Sequence, residues 1–134
     1  MKDRTFFDTN ILVYAFSDDD SAKRAKAIEL LNNCNPIVSM QVLKELANVL
    51  LKKDANAILL IKNYIKQMLD DFEVAHEDVL GGLNIKGKYK LQFYDSLIIA
   101  SVLEAKCNIL FSEDMQDGQV IEGMRIINPF GRDL

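Results

Sequence analysis

The sequence is poor in the residues that build zinc clusters and disulfide frameworks. It has one histidine, His76, and two cysteines, Cys34 and Cys107, which are far apart and lack metal-ligand spacing. A zinc site and a structural disulfide are therefore not expected, and both thiols read as reduced core residues. Proline and glycine are sparse, with no Pro-, Gly- or Ser-rich linker, internal repeat or low-complexity tract. The 134 residues accordingly read as one domain, 1–134, and 49% hydrophobic content is enough for one packed core. No apolar run approaches the ~20 residues of a membrane span. The opening "MKDRTFFDTN" lacks the apolar core of a signal peptide, so the expected location is the cytoplasm, without a membrane partner. There is no G-x-x-x-x-G-K-[ST] loop to support nucleoside triphosphate hydrolysis. Basic excess is missing too: 16 Lys and Arg stand against 20 Asp and Glu, a formal net charge of −4. That balance opposes the usual basic footprint of a nucleic-acid binder. The exclusion lapses if several acids gather where a divalent cation can cancel them.

What is there alternates in period. "RTFF" is a β-type run that stops at "DTN", residues that favour turns and helix caps. "ILVYAF" reads as a short helix. "SDDDSAKRAKAIELLNN" reads as a longer one with its acids at the start, the positive end of the helix dipole. "PIVS" is a second strand. In "MQVLKELANVLLKK", Leu43, Leu46, Ala47 and Leu50 recur at spacings of three and four, which makes an amphipathic helix. "ANAILLIKNYIKQML" predicts another helix and "FEVA" a third strand. "HEDVLGGLNIKGKYKLQ" predicts a helix that opens into a basic, glycine-containing loop. "YDSLIIASVLEA" is a helix, "NILFS" a fourth strand and "MRIIN" a fifth. Strands alternating with helices predict an α/β fold. Its sheet would be mostly parallel, of about five strands, with helices on both faces.

In such sheets ligands bind beyond the carboxyl ends of the strands. Four carboxylates fall there. Asp8 ends the first strand, Asp114 follows the fourth, Asp95 opens the penultimate helix, and Glu45 lies in the helix after the second strand. On a helix Asp95 shares a face with Ile98, Ile99 and Val102, the stripe expected to meet the core. Each acid has an ordinary use taken singly: Asp8 as an N-cap, Asp95 as a first-turn acid, Glu45 as a solvated helix residue, Asp114 as a turn residue. Brought together on one rim they repel one another and raise one another's pKa. An oxygen-rich cluster of this kind suits Mg²⁺ or Mn²⁺, which lowers the pKa of a water and neutralises phosphodiester charge.

The stretches "FFDTNILVYA", "SMQVLKELANVL", "YDSLIIASVLEAKCNILFSED" and "EDMQDGQVI" together resemble a PIN domain. More narrowly they resemble the toxin ribonucleases of VapBC-type toxin–antitoxin pairs, from about Thr5 to Pro129. "DTN" alone is weak, but the ordered set of DTN, a helical glutamate, D-S-L-I-I-A at Asp95 and S-E-D after a strand is specific. The resemblance implies metal-binding acids at Asp8, Glu45, Asp95 and Asp114, with Asp117 a secondary candidate. It also implies supporting roles for Thr9, Asn10 and Ser112, with Asn10 bracing the first acid. The implied activity is Mg²⁺-dependent endonucleolytic cleavage of RNA by a metal-activated water, leaving a 5′-phosphate. The implied partners are an RNA substrate and an antitoxin protein.

Outside the acids, Lys86, Lys88 and Lys90 interleave with Tyr89 just before Asp95, a candidate phosphate-holding and base-stacking loop. Lys23, Arg24 and Lys26 read as an exposed helical face. "AILLIKNYIKQML" carries more aliphatic surface than one small sheet needs, which suits a homodimer or an antitoxin groove. Two other readings compete. An aspartyl-phosphate phosphatase would use Asp8 as nucleophile, but it wants a second acid where this chain has Asn10. A receiver-like or other non-catalytic binding module wants paired acids after the first strand, and "FFDTN" offers one.

Overall fold

The computed structural model describes residues 2–131. Strand β1 (Arg4–Phe7) leads through helices α1 (Thr9–Ala15) and α2 (Ser21–Asn32) to β2 (Asn35–Ser39). Helices α3 (Met40–Lys53) and α4 (Ile58–Asp71) carry the chain to β3 (Glu73–Ala75). Helices α5 (Val79–Tyr89) and α6 (Phe93–Glu104) lead to β4 (Ile109–Phe111), and β5 (Val120–Ile121) and β6 (Met124–Ile127) follow. The sheet order is β3-β2-β1-β4-β6-β5. Every pairing is parallel except β5 with β6.

The centre of the sheet is apolar on both sides. Phe6 and Phe7 are consecutive, so they point to opposite faces, and both are fully buried. One hydrophobic cluster contains these rings together with Ile11, Leu12, Val42, Leu46, Ile99, Leu110 and Ile126. The expected stripes are present: Leu43, Leu46 and Leu50 on α3, and Ile98, Ile99 and Val102 on α6, are all buried, and Ala47 is half-buried against the same core. Helix α5 lies close upon α6 because Gly82 has no side chain. A Cβ there would sit 3.2 Å from the Leu97 Cα.

Two elements differ from the sequence reading. The sheet has a sixth strand, because Glu122 and Gly123 both adopt positive φ (52° and 88°). They form the two-residue turn that returns Val120–Ile121 antiparallel to β6. The segment read as a basic loop is instead the last turns of α5, which runs through Lys86 and Lys88 to Tyr89 and ends at Lys90 in the left-handed conformation.

The chain order places a switch at the middle of the sheet. From β1 the chain builds outward through β2 and β3, then crosses to the other side of β1 to lay down β4. The carboxyl ends of β1 and β4 therefore border the crevice where ligands bind in open α/β sheets. Asp8 and Ser112 are the residues that immediately follow these two strands.

Candidate active site

Asp8 sits at the end of β1 as the N-cap of α1, and it is only 8% exposed. The Thr9 backbone N–H donates to its Oδ1 at 2.8 Å, and the Ser112 hydroxyl donates to its Oδ2 at 2.8 Å. Both oxygens are thus oriented by neighbours from two strand ends. Burial nevertheless pushes the Asp8 carboxyl up to about 6; the Thr9 and Ser112 hydrogen bonds pull it down, and the Glu45 and Asp114 charges push it further up.

Glu45 reaches this rim from α3. The Thr9 hydroxyl donates to its Oε2 at 2.9 Å, and the Gln41 amide donates to its Oε1 at 2.8 Å. Thr9 therefore braces both acids, one through its backbone and one through its side chain. Asp95, half-buried in the first turn of α6, is also shifted upward, first by burial and then by Asp114 and Glu45. Asp114 is exposed in the turn after β4. Among the described residues, no ion pair includes Asp8, Glu45, Asp95 or Asp114. The fold has therefore gathered four acids from four chain segments within electrostatic range, and among the described residues none of the four is neutralised by an ion pair.

The four do not close into a cage. Among the described residues, no three His, Cys, Asp or Glu side chains converge as a ready-made ligand set. Mutual repulsion opposes closer approach. Each donor at this rim, carboxylate or hydroxyl, is nonetheless a hard oxygen. Mg²⁺ commonly uses only one or two carboxylates and retains waters, so the set fits Mg²⁺ or Mn²⁺.

Other candidates fall elsewhere. Asp117 accepts the Asn128 backbone N–H at 2.9 Å, which ties its turn to the exit of β6. Asn10 does not brace Asp8: both its amide atoms are buried without a hydrogen bond, and the Asp8 oxygens are already engaged by Thr9 and Ser112. Lys88 pairs with Glu122 at 2.8 Å, and the Tyr89 hydroxyl also bonds Glu122. Lys86 donates to the Leu91 carbonyl at 2.9 Å, and Lys90 caps the helix. This run therefore fastens α5 to the β5–β6 turn and to the chain that follows, and is not an open phosphate loop. His76 is exposed beyond the end of β3.

Lys23 is not simply part of a solvated face. It donates to Glu113 at 2.5 Å and to the Tyr14 hydroxyl at 3.2 Å, while Tyr14 donates to Glu113 at 2.5 Å. Glu113 is the residue before Asp114, so this cluster anchors the turn that carries it. Sequence reasoning missed that cluster, and it missed Gln41. The latter had a signal, because Gln41 and Glu45 are four apart on a helix and therefore neighbours.

A PIN domain family model matches residues 5–116. No curated protein is matched at a significant level. Among solved structures, the chain is similar to one in a toxin–antitoxin complex from Klebsiella pneumoniae. The TM-score is 0.70 at 22% identity, over 93% of this chain and 97% of that one. It is similar to VapBC2 from Rickettsia felis bound to a DNA fragment from its promoter, with a TM-score of 0.66 at 16% identity over 92% and 96%. It is also similar to VapC20 of Mycobacterium tuberculosis, a toxin described as sarcin–ricin loop cleaving. There the TM-score is 0.65 at 16% identity, over 82% and 91%. With six strands in this order, four acids at the central switch and a family match across most of its length, the chain belongs to the PIN domain family.

Proposed function

We propose that this protein is a divalent-metal-dependent endoribonuclease and the toxin member of a toxin–antitoxin pair. The observation that carries the reading is the arrangement of Asp8, whose buried carboxylate is held by Ser112 and Thr9 and faces the charges of Glu45 and Asp114. Such an arrangement opposes ionisation, and a cation is what relieves it. Asp8, Asp95 and Asp114 would hold Mg²⁺ or Mn²⁺ directly or through water, and Glu45 would hold a second ion or orient water. Bound there, the cation would supply an acidified water and charge neutralisation at a phosphodiester. The protein contributes rigidity: the Thr9, Ser112 and Gln41 hydrogen bonds keep two of the acids from swinging out of register. The similar Mycobacterium tuberculosis toxin, described as loop-cleaving, supports the same assignment.

The exposed surface supports protein partners. A groove between α3 and α4 is lined by Ala47, Leu51, Ile58, Ile61 and Ile65, with Lys62 and Lys66 at its edge. Beside it Leu59 is 71% exposed. An antitoxin helix with an apolar face and acidic flanks fits this groove. The exposed Val79, Leu80 and Leu83 of α5 form a second apolar strip, suited to a second copy of the chain. No described helix is long and apolar enough to cross a membrane.

The test is incubation with structured RNA in Mg²⁺ or in EDTA, with mapped product ends and a phosphatase reporter alongside. Expected is metal-dependent cleavage leaving 5′-phosphates, abolished by Asp8→Asn or Asp95→Asn. Phosphate release without RNA cleavage would instead indicate an aspartyl-phosphate phosphatase, and no turnover of either substrate would indicate a binding module.

A further inference from the structure

A second cleft opens beside the acidic rim and shares Glu45 with it. It has a volume of about 410 Å³ and is lined by Gln41, Lys44, Glu45, Glu77, Tyr94 and Leu97. Three separate elements build it: α3, the segment after β3, and the start of α6. The residue that follows Tyr94 is Asp95, so whatever occupies the cleft lies next to the acids.

The chemistry of the lining is specific. Tyr94 is 66% exposed, an aromatic ring held at the mouth of a concave site by edge contact with Phe93 at 5.3 Å. An exposed ring beside an apolar cleft edged by charged and amide groups is a platform on which unpaired bases stack. Gln41 is only 8% exposed, yet of its two amide atoms only the nitrogen is used, on Glu45. The oxygen is buried without a partner. Buried acceptors of this kind are seldom left unmatched. Glu77 is an exposed carboxylate on the rim, and Lys44 is an exposed cation on the same rim. The cleft therefore offers acceptors, one cation and a stacking surface.

Resting on the ribonuclease reading above, we propose that this cleft is a base-recognition subsite that takes a guanine flanking the scissile phosphate. Guanine presents two adjacent donors, N1–H and the N2 amino group, which a carboxylate accepts side by side, and Glu77 is that carboxylate. The guanine ring stacks on Tyr94 above Leu97. Lys44 meets the O6 acceptor or the adjoining phosphate. Adenine offers its amino group beside an acceptor, and uracil offers a single N–H between two carbonyls. Neither matches a carboxylate as guanine does. Gln41 acts as a positioning residue: it holds Glu45 with one end of its amide and borders the base with the rest.

Two measurements on the purified chain test the proposal. The first maps cleavage ends on a pool of randomised RNA in Mg²⁺ and compares guanosine with inosine, which lacks the N2 amino group, at the preferred position. Expected is guanine at one fixed place relative to the cut and about a tenfold loss of kcat/KM with inosine. Glu77→Gln should erase that discrimination, and Tyr94→Ala should raise KM about tenfold or more with little change in kcat. The second follows the Tyr94 ring resonances by NMR on titration with GMP and with IMP in the absence of metal. GMP should shift them at lower concentration than IMP. Cleavage without base preference, or a guanine preference unaltered in both variants, overturns the subsite while leaving the ribonuclease intact. Absence of RNA cleavage with GMP shifting Tyr94 at lower concentration than IMP overturns the ribonuclease, and with it the place beside a scissile phosphate, and leaves a guanine-binding cleft. Absence of both removes both.

Discussion

Asp8→Asn isolates the electrostatic part of the site. Asparagine retains an oxygen for the Thr9 N–H and caps helices about as well as aspartate, and with the Ser112 hydroxyl turned to accept from the new amide N–H the main loss is charge. The Asp8 carboxyl stands at about 6 in the folded protein against 3.8 for the ordinary group. At about 1.36 kcal/mol per pH unit, keeping it ionised without metal costs the fold about 3 kcal/mol. The folded state binds this proton more tightly than the unfolded state. Asp8 is therefore neutral to stability below 3.8 and becomes destabilising as pH rises from there to about 6. Relative to the parent, the asparagine variant should gain about 2–3 kcal/mol between about pH 4 and about pH 8. For a domain of this size that amounts to about 10 °C in Tm. The assay is a set of thermal or urea melts of both proteins in EDTA across that range. Groups that titrate in the opposite sense, such as Glu73, held low by Arg4, act on both proteins alike and cancel in the difference. Millimolar Mg²⁺ should then stabilise the parent above pH 6 and shrink the difference, because binding acts on the folded state. A difference that stays flat with pH in EDTA would refute the reasoning. It would mean that the carboxylate is neither desolvated nor opposed by its neighbours.

Three further outcomes are expected. Thr9→Val removes the hydroxyl that braces Glu45; stability should fall by about 1 kcal/mol, and kcat on RNA should fall about tenfold with KM little changed, read by melts and steady-state kinetics. Lys23→Ala leaves Glu113 held by the Tyr14 hydroxyl alone and loosens the turn that carries Asp114; an ångström of displacement there should lower kcat by about tenfold to a hundredfold while the melting curve hardly moves. Leu59→Glu changes an exposed position on α4; stability should stay within about 0.5 kcal/mol, and the variant should no longer co-purify with an antitoxin when coexpressed with the neighbouring gene.

Much of the architecture was legible in the chain. The spacing of Leu43, Leu46 and Leu50, and of Ile98, Ile99 and Val102, marked the buried faces of α3 and α6, because local periodicity reports which side of a helix meets the core. The order of strands and helices likewise placed Asp8 and Asp114 on the rim where parallel sheets bind ligands. The loop expected at Lys86–Lys90 turned out to be helix. Its glycine, Gly87, tolerates helical geometry, and of the charges that made the segment look like a free phosphate loop Lys88 finds a partner in Glu122, 34 residues away, and Lys86 in the Leu91 carbonyl. The β5 strand was too short to show a period, and its antiparallel pairing with β6 through the positive-φ turn at Glu122 and Gly123 is a tertiary feature.

By itself the sequence determined the kind of each major element, the apolar faces that bury, and which acids lie at strand ends. Those properties depend on neighbours a few residues apart. Only the tertiary structure decided which polar groups meet. Ser112 holds Asp8 across 104 residues, Thr9 holds Glu45 across 36, and the Asn10 side chain makes no hydrogen bond although it stands two positions from the acid it was expected to brace. The reason is geometric: a hydrogen bond forms only within about 3 Å and a narrow range of angles. Packing sets that distance between segments whose separation in the chain says nothing about it.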